Sequence, residues 1–272
     1  MKILVTSQTS LIGCNLITRL DNKHEISYLV TKKENSHNSI LWKELDQFEF
    51  ELILVIDSPS LRNLTDSNYD NFSRLSNQAM LLNRYARQYP DTKFIIFSSV
   101  SVLGNIPVVD SLIQNLINPN IYGVAKSTQE QIILFGLKNP KCALLRLPAV
   151  LMEKAITHFP SRVKDSLKAD LPITVFNPRS SWNACIHIDD LLFLVESLIN
   201  NFPGKFEVFY PHASGELSFE DVVYSMKSYL KSESEILITN SKKPFTGVRK
   251  IELSNLIETK SVEDSLKLFC VI

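Results

Sequence analysis

The chain has 272 residues, 44% of them hydrophobic. That is enough to bury a large core as one α/β domain, or as one domain with a smaller lobe. Lys plus Arg and Asp plus Glu balance at 29 each, so no strongly basic face is expected, which argues against nucleic acid or an anionic membrane as the main partner. Cys14, Cys142, Cys185 and Cys270 form no CxxC pair and read as small buried hydrophobes in a reducing compartment. His24, His37, His158, His187 and His212 show no metal-ligand spacing, so no metal is expected. No apolar run approaches the ~20 residues of a membrane span, and the N-terminus has no signal-peptide pattern. A soluble, cytoplasmic protein is expected.

In chain order, Lys2 to Val5 reads as a strand and Leu11 to Leu20 as a helix. Strands at Glu25 to Val30 and Glu51 to Ile56 follow, then a long amphipathic helix from about Tyr69 to Tyr89 with Phe72, Leu75, Ala79, Leu82 and Ala86 on one face. Lys93 to Phe97 is a strand, Tyr122 to Leu137 a helix, and Cys142 to Arg146 a strand closed by Pro148. Apolar strands alternating with amphipathic helices predict a doubly wound parallel sheet covered on both faces, a Rossmann-type α/β fold. Beyond Pro148 the rhythm loosens. Short helices are expected around Arg162 to Ala169 and Leu191 to Ile199, and a strand at Phe206 to Tyr210. Another helix follows Ser218, its predicted N-cap, with Asp221 at the third position. The tail past Ser232 is more polar and gives no clear pattern.

The first strand runs into Thr6-Ser7-Gln8-Thr9-Ser10-Leu11-Ile12-Gly13. This looks like a dinucleotide-binding turn, in which a helix N-terminus and its dipole meet a pyrophosphate. Ser7 and Ser10 stand where two of the three glycines are expected, and Gly13 remains. A serine Cβ costs about 1–2 kcal/mol in a left-handed conformation, while its hydroxyl is able to donate to a phosphate oxygen. The alternative is a plain strand-to-helix turn without a nucleotide. After the second strand, Val30-Thr31-Lys32-Lys33 offers no acid for a ribose 2′-hydroxyl. Its lysines are suited to a 2′-phosphate, which favours NADP over NAD, and equally to plain surface charge, as are Lys242 and Lys243.

A Tyr and a Lys four apart on a helix share a face, and the ammonium stabilises a phenolate. Such a tyrosine exchanges a proton with a substrate hydroxyl or ketone while hydride moves at the neighbouring carbon. The YxxxK pattern occurs three times, at Tyr28/Lys32, Tyr89/Lys93 and Tyr122/Lys126. The first lies along a strand and the second crosses Pro90. Only the third opens a helix, after a strand ending in Ser98-Ser99, whose hydroxyl is placed to orient the reacting oxygen.

These segments resemble the extended short-chain dehydrogenase/reductase family, the NAD-dependent epimerase/dehydratases of nucleotide sugars. The resemblance covers the opening turn, Asn77, Ser98 to Gly104, Tyr122-Gly123-Val124-Ala125-Lys126, Leu145-Arg146-Leu147-Pro148, Ile186-His187-Ile188-Asp189-Asp190 and Ser261 to Leu266. It implies a dinucleotide-binding domain over 1–148 and 182–213, a substrate lobe over 149–181 and 214–272, and a homodimer. By position it implies Ser99, Tyr122 and Lys126 as the catalytic set. Thr6, Ser7, Ser10, Leu11, Ile12, Gly13, Lys32, Tyr122 and Lys126 would hold NAD or NADP. Ser99, Ser101, Tyr122 and Arg179 would face the nucleotide sugar. Val100 and Ser101 replace the Asp-Glu pair of family dehydratases, which argues against a 4,6-dehydratase. Leu103 replaces a usual tyrosine, and Asn183 an arginine that contacts the nucleotide phosphates, for which Arg179 is the substitute. The implied function is a nucleotide-sugar epimerase or 4-keto reductase of polysaccharide synthesis. The alternative is a non-catalytic relative that acts as a binding or scaffold subunit.

Overall fold

The computed structural model describes residues 1–32, 38–56, 66–110, 119–138, 141–155, 158–239 and 247–271. Two compact units emerge. The first comprises Met1–Val102, Pro119–Arg146 and Val195–Phe209, and the second Leu103–Asn118, Leu147–Leu194 and Tyr210–Ile272.

The first unit is built on β1 (Lys2–Val5), α1 (Leu11–Leu20), β2 (Glu25–Val30), β3 (Ser39–Leu41), β4 (Leu52–Val55), α2 (Asp66–Gln88), β5 (Lys93–Ser99), α3 (Ile121–Gly136), β6 (Cys142–Leu147) and β7 (Glu207–Phe209). The strands form one parallel sheet in the order β7-β6-β5-β4-β1-β2-β3, which is the Rossmann-type arrangement that the alternating pattern predicts. Ile3 pairs with Ile26 on one side and Leu52 on the other. The strand order reverses between β1 and β4, and in such sheets ligands bind beyond the strand ends at that point. Every residue of β4 is buried, as are Ile3 to Val5 and Phe94 to Ser99. Strands covered on both faces carry unbroken apolar runs, which is why these were readable. The long helix α2 buries Leu75, Ala79, Leu82 and Ala86, as its periodicity predicts. Edge strand β3 and the 3₁₀ turn Trp42–Gln47 have no counterpart in the sequence reading, because three residues are too few to show a period.

The second unit has its own core. Phe159 meets Phe219 and Trp182 edge-on, with centroids 5.1 and 6.0 Å away, and Val222, Met226, Leu266 and Phe269 are all but inaccessible. Ser218 caps the helix Phe219–Leu230 as predicted, its Oγ accepting from the Asp221 amide at 3.0 Å. The polar tail contains a helix, Val262–Val271, capped in the same way by Ser261.

His158 lies within this unit. Its Nε2–H donates to the Val150 carbonyl at 2.9 Å, and its Nδ1 takes the Ser161 hydroxyl at 3.0 Å. Burial pushes its pKa down to about 4, and burial also lowers His187 and His212. The His158 imidazole stays neutral in the native state but charges in the unfolded chain below its ordinary value of about 6.5. The unfolded state then binds more protons, so stability is present above pH 6.5 and lost as pH falls towards 4. The expected result is a thermal midpoint that drops between pH 7 and 5, and a shallower drop in His158→Gln. An equal drop in the variant would assign the effect to other groups.

Candidate active site

The turn between β1 and α1 is tight. Thr6 is buried, and its hydroxyl accepts from the Ile56 amide at 3.0 Å, tying β1 to the end of β4. Ser10 is the N-cap of α1 in extended geometry, φ −72° and ψ 147°. Its Oγ accepts from the Gly13 amide at 2.9 Å and donates to the Ser7 carbonyl at 3.1 Å. The Ser10 hydroxyl thus satisfies one of the helix's unpaired donors; it is engaged inside the turn, where the sequence suggested a phosphate donor. The left-handed strain does not arise either. The non-glycine residues with positive φ among those described are Lys154, Asp170, Asn177 and Lys231, none of them in the turn. Gly13 is the one glycine the turn requires, since a Cβ there would stand 1.9 Å from the Ser7 carbonyl oxygen. The first turn holds no acidic residue. It offers an anion the amides of Leu11 (exposed) and Ile12 (half-buried), which have no acceptor within the helix.

Beyond the ends of β2 and β3 lies a cavity of about 790 Å³. Lys32, Lys43 and Arg74 bring three cations to its wall, beside Trp42, Asn77 and Gln78, and among the described residues no acidic side chain lines it. Lys33, Lys242 and Lys243 lie outside the described residues.

The Ser-Tyr-Lys residues gather where α3 meets the end of β5. Asn120 caps α3, its side chain accepting from the Gly123 amide at 2.8 Å. A Cβ on Gly123 would stand 2.1 Å from the Ser101 carbonyl oxygen. Only glycine permits this approach, and it sets the Tyr122 turn of α3 against the segment that follows Ser99. Ser99 is buried, and its Oγ accepts from the Ser101 amide at 3.1 Å. Tyr122 is half-buried and packs with Phe72, Ile121, Leu75 and Ala125. Lys126, on the same helix face, is 1% exposed, and its Nζ donates to Gln129 Oε1 at 2.6 Å.

Below this lies a polar network that the sequence reading missed. Glu130, also 1% exposed, accepts from the Ser98 hydroxyl and from Arg146, with Nη2–Oε2 at 2.9 Å and Nε–Oε1 at 3.3 Å. Burial, with the charge of Glu130 as a smaller cause, pushes the nearby Cys142 thiol up to about 12. One signal for this network was in the sequence. Arg146 interrupts an otherwise apolar strand, and a guanidinium there demands a carboxylate.

Arg179 and Asn183 belong to the second unit. Arg179 is exposed, in the second unit's loop between the strands Ile173–Phe176 and Ser181–Trp182. Asn183 is buried and locked to Ile251, accepting from its amide at 2.7 Å and donating to its carbonyl at 2.9 Å. Among the described residues no His, Cys, Asp or Glu cluster is arranged to hold a metal, and no helix is long and apolar enough to cross a membrane.

No family model and no curated protein sequence matches the chain. Solved structures do. MoeE5 in complex with UDP-glucose and NAD superposes with a TM-score of 0.78 at 15% identity, covering 100% of this chain and 98% of that one. UDP-glucuronic acid 4-epimerase from Bacillus cereus, in complex with NAD, gives 0.78 at 16% identity over 98% and 96%. dTDP-4-dehydrorhamnose reductase from Yersinia enterocolitica gives 0.73 at 16% over 99% and 98%. The chain shares the fold of these solved structures over nearly its whole length.

Proposed function

We propose that this chain is an NAD(P)-dependent enzyme of nucleotide-sugar metabolism, a 4-epimerase or a 4-keto reductase. The observation that carries the reading is the placement of Tyr122 and Lys126 one turn apart on α3, held by Gly123 against the segment after Ser99. Solved structures of this fold hold NAD together with UDP-glucose or UDP-glucuronic acid.

In this reading the nicotinamide, when bound, supplies or accepts the hydride. Tyr122 takes the proton of the sugar hydroxyl in the oxidising direction and returns one to the carbonyl oxygen in the reducing direction. Lys126 lowers the cost of the phenolate. Ser99 orients the reacting oxygen, with Ser101 beside it, and Arg179 binds the nucleotide phosphates. Residues 1–148 and 182–213 form the dinucleotide domain, and 149–181 and 214–272 the substrate lobe of a cytoplasmic homodimer.

The turn fits a dinucleotide. Its serines strain no backbone, and the amides of Leu11 and Ile12 are placed for a pyrophosphate between Thr6 and Gly13. The cationic cavity beyond β2 supports NADP, because Lys32, Lys43 and Arg74 match a 2′-phosphate that NAD lacks.

Calorimetry with the four coenzymes tests this. Binding of one of them tighter than about 100 μM, roughly −5.5 kcal/mol, is expected. The double variant Lys32→Gln/Arg74→Gln should weaken NADPH by about tenfold or more, each lost charged contact being worth about 1.5–3 kcal/mol, and affect NADH far less. Equal weakening of both would remove the NADP assignment. No binding of any coenzyme would favour the non-catalytic scaffold.

A further inference from the structure

We infer that the coenzyme is a co-substrate that leaves after each turnover, and that the reaction is a net reduction of a keto sugar. The inference rests on the reading of the chain as an NAD(P)-dependent nucleotide-sugar enzyme, and it chooses between that reading's two reactions. It is carried by the way the opening turn closes on itself and by the cations beyond β2.

A helix start offers an anion the amides of its first turn. In α1 these belong to Leu11, Ile12 and Gly13. The Gly13 amide is already engaged, donating to Ser10 Oγ at 2.9 Å. The Ser10 hydroxyl gives its own proton to the Ser7 carbonyl at 3.1 Å, so it keeps none for a phosphate oxygen. Cys14 Sγ donates to the Gln8 carbonyl at 2.8 Å. The turn thus satisfies its own polar groups and leaves a pyrophosphate the amides of Leu11 and Ile12. At the other end of the coenzyme stand Lys32, Lys43 and Arg74, in the wall of the cavity. All three are exposed, so their pull on a 2′-phosphate is screened by salt and readily reversed.

Epimerisation and reduction ask opposite things of such a site. Epimerisation takes a hydride from a sugar carbon and returns it to the same carbon. The coenzyme ends as it began, so a firm and permanent hold serves it. Reduction uses one hydride per turnover, so the oxidised coenzyme has to leave and a reduced one has to enter. A loosened pyrophosphate hold, with recognition moved to an exposed phosphate, fits reduction. In that step the carbonyl carbon gains the hydride of NADPH and its oxygen gains the Tyr122 proton, which turns the ketone into an alcohol. NADP⁺ departs, and Tyr122 regains its proton from water. The preceding reaction must therefore make a ketone on a nucleotide-linked sugar, by oxidising a ring hydroxyl or by internal redox with loss of water.

The test first reads the coenzyme alone. NADPH bound to the wild type is followed by its own fluorescence and chased with excess NADP⁺ in stopped flow. Release at about 1 s⁻¹ or faster is expected, within the range of ordinary turnover, and release over minutes overturns the inference. Ser10→Gly frees the Gly13 amide, and the φ of −72° there suits glycine as well as serine. It should tighten NADPH and NADH alike by about tenfold or more, the weight of one hydrogen bond to a charged group, and slow their release. Unchanged binding overturns the inference. If Ser10→Gly does not fold, Ser10→Ala frees the same amide and carries the test. Turnover then separates the reactions. Wild type given NADPH and a dTDP-4-keto-hexose should oxidise one NADPH for each sugar reduced. Epimerisation of UDP-glucose or UDP-glucuronic acid with NAD, without net change in the coenzyme, overturns this inference and leaves the proposed function standing. No binding of any coenzyme overturns both.

Discussion

Arg146→Met is expected to lower the unfolding free energy by about 3–5 kcal/mol, the cost of leaving a buried charge unpaired. Glu130 is 1% exposed and Arg146 only 18%, so water cannot replace the lost guanidinium. The Ser98 hydroxyl stays as a single donor, too little for a buried carboxylate. Glu130→Gln/Arg146→Met removes the stranded charge and should recover much of the loss. Urea unfolding of the wild type, both single variants and the double variant measures the coupling. A cost below about 1 kcal/mol for Arg146→Met would mean that the pair behaves as a surface salt bridge.

The residues that were legible in the sequence carry their geometry locally. Tyr122 and Lys126 share a helix face by spacing alone, and Ser99, singled out by its place in the family pattern, ends an apolar strand. Gly13 and Ser218 were readable as turn and cap residues for the same reason. Gln129 and Glu130 were not. On a helix wheel they are ordinary polar residues, and their burial depends on Lys126, on Ser98 of another element and on Arg146 sixteen positions away. The role of Ser10 stayed open in the sequence because an N-cap and a phosphate donor need the same residue type at the same position. Only coordinates reveal that its hydroxyl turns inward to Ser7 and Gly13. Asn183 was seen as a lost arginine, whereas its side chain joins two distant segments through Ile251.

Tyr122→Phe should lower kcat by about 10²–10⁴, the usual weight of a positioned general acid or base, while leaving the fold intact. The ring is what packs against Phe72, Leu75 and Ala125, and phenylalanine keeps it, so thermal unfolding should move little. The hydroxyl is what the chemistry requires, because a hydride cannot leave an alcohol carbon, or reach a ketone, unless the oxygen exchanges its proton. Lys126 and Ser99 cannot compensate. In the proposed reading Lys126, buried against Gln129, acts through its charge, and the Ser99 Oγ accepts from the Ser101 amide. The assay uses UDP-glucose and UDP-glucuronic acid for epimerisation, and a dTDP-4-keto-hexose for coenzyme-linked reduction. Wild-type turnover on one of these with undiminished turnover in Tyr122→Phe would remove the acid/base role. Coenzyme binding without turnover on any of them would point to a different sugar or a different carbonyl, since a fold does not choose the substrate.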